Sequence, residues 1–279
     1  MDAQSSVVNI NSTNTRFEFG ANWQAFLNCL NEERIAKAEE SLIDNLGLAT
    51  LNGLRFLDIG SGSGLFSLVA RRLGAVVYSF DYDKNSVECT KYLRQKFFSD
   101  DSKWIIEQGS VLDQKYMASL GKFDIVYSWG VLHHTGEMWK AIDYACQSVK
   151  VNGHFYIAIY NDEAGASRRW KKVKRLYNNS GKLIRSVLIS YTFLKVWSIT
   201  MVKDLIHHKN LLKSWSSYNV HRGMSPWYDI IDWVGGYPFE VAKPDEIFNF
   251  LKDRGFRLEK LKTCIGPGCN EYVFKKVKS

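Results

Sequence analysis

Asp58-Ile59-Gly60-Ser61-Gly62-Ser63-Gly64 is the stretch on which the reading of this chain turns. It closes a short apolar run, Arg55 to Ile59, and opens Leu65 to Leu73, where apolar residues recur at helical spacing. A glycine-rich turn between a strand and a helix lets the backbone bend tightly and approach a ligand with no side chain in the way. The dinucleotide fingerprint requires Gly-x-Gly-x-x-Gly. Here the spacing is Gly-x-Gly-x-Gly, and Leu65 stands where the third fingerprint glycine belongs. No Gly-Lys-Ser/Thr follows, so a triphosphate loop fails too. The turn also begins with a carboxylate, Asp58, which repels a pyrophosphate but not a sulfonium compound carrying an α-ammonium group.

Outward from the loop, strands and helices alternate. Strands are expected at 55–59, 76–80, 104–108, 123–128 and 154–160, and helices at 65–73, 86–98 and 138–149. That alternation is the signature of a parallel, doubly wound sheet. Ligands of such sheets bind at the carboxyl ends of the strands. Asp81 ends the second strand about 20 residues past the loop, where a carboxylate accepts hydrogen bonds from both ribose hydroxyls of an adenosine. The alternation breaks after Tyr160 and resumes with a helix at 244–254 and strands at 257–263 and 271–276. The expectation is an α/β, Rossmann-like, mostly parallel seven-stranded sheet with a helical insertion, a lid, after the fifth strand. A single domain is then divided into a helical lead-in (1–53), a cofactor-binding core (54–163), a basic and aromatic lid (164–242) and a closing helix with two strands (243–279). Within the lid, 165–213 reads as one or two long helices and 218–239 as irregular.

Taken together, these motifs resemble class I S-adenosylmethionine-dependent methyltransferases. The resemblance rests on the Asp-x-Gly-x-Gly-x-Gly loop, the acidic end of the second strand and Phe123-Asp-Ile-Val-Tyr-Ser128. Trp129-Gly-Val-Leu-His133-His134 is similar to the fourth-strand motif of the small-molecule branch. The resemblance covers 55–160 and the closing helix and strands. It implies S-adenosyl-L-methionine as cofactor. Gly60, Ser61, Gly62 and Gly64 would then make room for its methionine part, and Asp58 would hold the ammonium. Asp81 would take the ribose and Tyr82 lie against the adenine. Ser110 and Val111 would edge that ring, although many members carry an acid where Ser110 stands. Trp129 and Gly130 would line the pocket near the transferred methyl. Residues 16–26, with Trp23, look like the lead-in that covers the cofactor.

Methyl transfer needs alignment of the acceptor with the methyl and exclusion of water. A hydroxyl acceptor also needs a base, for which His is suited near neutral pH. His133 and His134 are the catalytic candidates. Tyr160 and Asn161, with His221 and Arg222 from the lid, are the acceptor-binding candidates. Ser-Trp-Gly-Val-Leu replaces the Asn/Asp-Pro-Pro-Tyr/Phe motif of nucleobase amino methylation. O-methylation of a small molecule, a sugar or secondary metabolite, is the leading expectation. A lipid-linked acceptor, an RNA acceptor and a catalytically inactive cofactor-binding protein are the alternatives.

Composition sets further bounds. The chain of 279 residues is 46% hydrophobic and carries a net charge of +8. Twelve Lys and Arg fall between Arg168 and Lys213, against Asp204 alone. This segment reads as a lid, as a peripheral contact with anionic membrane through 168–213, or as an RNA-binding or self-association face; no RNA recognition module is recognisable. No uncharged apolar run reaches about 18 residues, so a spanning helix is not expected. The 1–20 stretch lacks an apolar run. Five scattered cysteines suit reduced thiols in a cytoplasmic protein, with no metal site. The sequence leaves oligomeric state open.

Overall fold

The computed structural model describes residues 17, 23, 27, 30–99, 101–211, 213–215, 226–264, 266 and 268–278. Helix α1 (Glu32–Leu46) leads into strand β1 (Arg55–Ile59) and helix α2 (Leu65–Arg72). Then come β2 (Val76–Asp81), α3 (Lys84–Phe97), β3 (Trp104–Gln108), α4 (Gln114–Ser119) and β4 (Phe123–Trp129). A 3-10 turn (Leu132–His134), α5 (Met138–Gln147) and β5 (Val149–Tyr160) follow. The lid holds α6 (Gly165–Asn179), α7 (Lys182–His208) and α8 (Pro226–Gly235); α9 (Pro244–Lys252), β6 (Phe256–Lys262) and β7 (Cys269–Lys276) complete the fold.

Seven strands form one sheet in the order β3-β2-β1-β4-β5-β7-β6. The first five are parallel, whereas β7 runs antiparallel to both β5 and β6. Successive side chains of a strand point to opposite faces, and both faces are buried. Leu57, Val126 and Phe155 enter one core, and Phe56, Ile125 and Tyr156 the other. Helices on both faces make each strand an apolar run, the pattern of a doubly wound sheet.

Chain direction across the sheet reverses between β1 and β4. At such a switch point the carboxyl ends of the strands leave a crevice. The glycine loop forms one lip and Trp129-Gly130-Val131 the other. They meet closely: a Cβ on Gly60 would lie 2.4 Å from Val131 Cγ1.

Two expectations are corrected. The aromatic stretch 218–239 is not irregular throughout, since Pro226–Gly235 is helical. Proline at a helix start supplies a fixed φ and lacks only an N–H that has no partner there. Among the described residues one helix, Lys182–His208, is long and apolar enough by composition to cross a membrane. The uncharged-run criterion missed it because Arg185, Lys195, Lys203 and Asp204 interrupt its sequence.

Candidate functional site

The glycine loop is held by backbone bonds. The N–H groups of Gly60 and Ser61 both donate to the Phe80 carbonyl, at 2.8 and 3.1 Å. Gly60, Gly62 and Gly64 have φ of +75°, +55° and +82°, a region that L side chains rarely adopt. A Cβ on Gly64 would also lie 2.8 Å from the Thr90 backbone. The Ser61 hydroxyl bonds that of Thr90 at 2.9 Å, tying the loop to α3. Asp81 organises the next turn. Its carboxylate accepts from the Gly62 N–H at 2.9 Å and from the Asp83 N–H at 2.8 Å.

Around Asp81 lie the residues expected at the adenine. Tyr82 offers a ring that is 55% exposed, and Val111 is buried beneath the loop after β3. Ser110 turns its hydroxyl to the Leu112 N–H at 3.2 Å, so it shapes its own turn. Trp129 is 46% exposed at the end of β4, and a Cβ on Gly130 would meet nothing within 4 Å. Trp23 sits on the loop itself, with Gly62 about as close to its indole as a glycine alone permits. Phe17 packs at Gly235 and bonds the Tyr237 carbonyl at 3.0 Å. The lead-in thus touches both the loop and the lid. The crevice fits an adenosine with an amino-acid tail: a carboxylate for ribose, a flat exposed ring for the base, and a side-chain-free turn.

Asp58 is engaged within the protein. It is 2% exposed and accepts the Ser67 hydroxyl at 2.5 Å. Ser67 bonds Ser79 at 2.6 Å, and the Trp104 indole N–H donates to Ser79 at 2.9 Å. The donors line up toward Asp58, inside the sheet face rather than toward the crevice. Burial, and then the nearby Asp81 charge, push its carboxyl up to about 7, with the Ser67 bond opposing. Asp58 is thus held by Ser67 within the buried sheet face, beneath the loop.

The histidine pair lies across the crevice. His133 is fully buried and accepts the Tyr160 N–H at Nδ1, 3.3 Å away. Its proton is then on Nε2, which has no partner among the described residues. Burial, with His134 and Lys174 nearby, holds its pKa well below the ordinary range, so it stays neutral. His134 has the opposite tautomer. Its Nδ1 is 2.7 Å from the Pro238 carbonyl, which can only accept, so Nε2 is the basic nitrogen. Tyr160 stacks between them and the lid: its ring is 4.0 Å from His133, 5.6 Å from Trp233 and 5.3 Å from Phe239.

Tyr160 and Asn161 line a narrow cleft together with Ser167, Trp170, Trp233 and Phe239. Asn161 is fixed by the Asn270 amide at 3.0 Å and by its own N–H on the Gly268 carbonyl at 2.9 Å. His221 and Arg222 lie outside the described residues. Sequence reasoning missed Lys174. Ser167, Trp170, Lys174 and Tyr177 form the buried stripe of α6, and their spacing of three, four and three was the available signal. The Lys174 ammonium lies 4.3 Å from the Trp233 ring and 4.9 Å from Phe239, and donates to the Trp233 carbonyl. Burial lowers its pKa to about 7, opposed by Asp232.

Comparisons with known proteins agree with this geometry. A family model described as a methyltransferase domain matches residues 30–216. The ubiquinone biosynthesis O-methyltransferase of Bartonella bacilliformis is 29% identical over 150 residues, 52% of this chain and 56% of that protein. The chain thus spans about half the length of the curated relatives it matches. Magnesium protoporphyrin IX methyltransferase from Synechocystis, solved with bound S-adenosylhomocysteine, superposes with a TM-score of 0.50 at 14% identity, over 98% of this chain and 90% of that one. An O-methyltransferase family protein from Burkholderia thailandensis gives 0.52 at 12% identity, over 89% and 56%. These structural likenesses concern the fold. The chain belongs to the methyltransferase-domain family and carries the class I, S-adenosylmethionine-dependent fold of that family.

Proposed function

We propose that this protein methylates an oxygen of a small acceptor held between the end of β5 and the lid. One observation carries this reading: the His133 and His134 rings stand 4.5 Å apart beside Tyr160, which lines the aromatic pocket. When bound, S-adenosylmethionine supplies a methyl group already activated by sulfonium. The chain's own work is placement and proton handling. Trp170, Trp233, Phe239 and Tyr160 clamp the acceptor and keep water out. The Nε2–H of His133 bonds the acceptor oxygen and fixes its direction. The Nε2 of His134 takes the hydroxyl proton as the oxygen attacks, and the Pro238 carbonyl stabilises the resulting imidazolium. The curated relatives named as O-methyltransferases support an oxygen acceptor.

The test is transfer of labelled methyl from S-adenosylmethionine to a panel of phenols, sugars and amines, after S-adenosylhomocysteine binding has been established by calorimetry. Labelled hydroxyl compounds, with activity lost in His134→Ala, are expected. Transfer to amines alone, or full turnover by His134→Ala, sinks the assignment.

A further inference from the structure

Helix α7 presents its apolar side outward. At 3.6 residues per turn, Leu183, Val187, Tyr191, Leu194, Val202 and Leu205 fall in one stripe, and Ile184, Ile199 and Ile206 lie beside it. All nine are exposed, Leu183 at 80% and Ile206 at 69%. On the face turned to the protein, Thr192, Trp197 and Asp204 are buried. Of the helix's most apolar window only 11% is buried. A helix of a protein that lives wholly in water has the reverse arrangement. A continuous exposed apolar stripe marks a surface that meets something apolar.

Charge identifies what it meets. Lys182, Arg185, Lys195 and Lys203 lie on the same helix, and Arg168, Arg169, Lys171, Lys172 and Arg175 are exposed on α6 beside it. Asp204, the only acid from 168 to 213, is turned inward and holds the Ser214 N–H and hydroxyl, each at 2.7 Å. A second copy of the same face would set like charges together and be repelled. A surface with acyl chains beneath phosphates satisfies both the stripe and the bases. Crossing the bilayer would strip Thr192, Trp197 and Asp204 from the lid and put four charged side chains into hydrocarbon.

We propose that α7 lies in the plane of an anionic phospholipid surface, apolar stripe in the boundary between headgroups and acyl chains, with the basic residues of α6 and α7 at the phosphates. The surface adjoins the acceptor pocket: Lys195 of α7 lies 5.1 Å from the ring of Trp170, which lines it. Docking there would bring the pocket close to amphiphilic acceptors. The proposal does not depend on the acceptor being an oxygen.

Co-sedimentation of the full chain with vesicles of phosphatidylcholine, with and without phosphatidylglycerol, tests it. Binding to the anionic vesicles is expected to be on the order of 100-fold tighter and to weaken as salt rises. Leu183→Ser/Val187→Ser/Leu194→Ser should lose at least about ten-fold in binding, while keeping the cooperative thermal melt of the parent. Lys182→Gln/Lys195→Gln/Lys203→Gln should lose most of the preference for anionic vesicles. Folded protein that stays in the supernatant with both vesicle types overturns the proposal. So does a dimer, seen by light scattering, that the triple serine variant dissociates without any vesicle binding. Retention through an alkaline carbonate wash overturns it as well, since that reports a spanning helix.

Discussion

The two lips of the crevice are built by different means. On the cofactor side, backbone groups do the holding: the Phe80 carbonyl, the Gly62 N–H and three left-handed glycines, all within 59–83. On the acceptor side, contacts between segments distant in sequence do it. His134 reaches Pro238, the Glu240 N–H reaches the His133 carbonyl, and Lys174 reaches Trp233. A backbone cradle suits a ligand that never changes. Aromatic walls on a separately inserted lid can be altered without disturbing that cradle, which is how one fold accommodates many acceptors.

Mutations on the two sides should therefore fail differently. The largest effect is expected at Gly64→Ala, where a Cβ meets the Thr90 backbone and φ is +82°. It should destabilise the fold by about 3 kcal/mol or more and abolish S-adenosylhomocysteine binding; a normal melt with normal affinity would show that the cradle tolerates side chains. His134→Ala should lower kcat by about 10² to 10⁴-fold and leave calorimetric cofactor affinity as it was. A matching fall in affinity would mean that the two lips are not independent. Asp81→Ala should weaken S-adenosylhomocysteine by roughly 1.5–3 kcal/mol, with turnover at saturating cofactor nearly intact.

Smaller effects come from the buried ionisable groups. Lys174 has a folded pKa of about 7, below its ordinary 10.5. Between those values the unfolded chain binds more protons, so stability rises with pH from about 7 to 10. Thermal melts should show this rise, and Lys174→Met should remove it while stabilising the protein at pH 7 by about 1–3 kcal/mol. An unchanged pH profile would mean that Lys174 is reached by water. Asp58 gives the smallest signal. If it held the ligand's ammonium, its pKa would drop and binding near pH 7 would release a proton. Calorimetry in buffers of different ionisation enthalpy should find close to none, because Asp58 faces Ser67; release approaching one proton would restore the ammonium role.

The same division governs what could be read from the amino acids. The loop, Asp81 and the strand limits of β1 and β3 were legible because each is encoded by neighbours in sequence. The burial of Asp58 was not read, because a motif assigns a residue type without saying which way a strand turns it; its position between Leu57 and Ile59 carries that information. Lys174 was counted among the charges of the lid, yet its place on the stripe of Trp170 and Tyr177 marked it as buried. The pairing of each histidine with its tautomer was beyond reach, since Pro238 and the Tyr160 N–H are partners that only the folded chain supplies. The outward turn of α7 was equally hidden, because both faces of that helix carry apolar residues and the choice depends on what α6 and α8 leave uncovered.

One consequence of the strand order concerns synthesis. Strand β7 lies between β5 and β6, although it is made after both. A growing chain can therefore complete the cofactor lip while Val149–Tyr160 remains a bare sheet edge, with Phe155, Ile157 and Ile159 awaiting cover. Such edges recruit other chains. Asn161 gains its Asn270 and Gly268 partners only when β7 arrives, so the acceptor lip is finished last, and a ribosome that stalls short of 269 would release a chain with a formed glycine cradle and an adhesive flank.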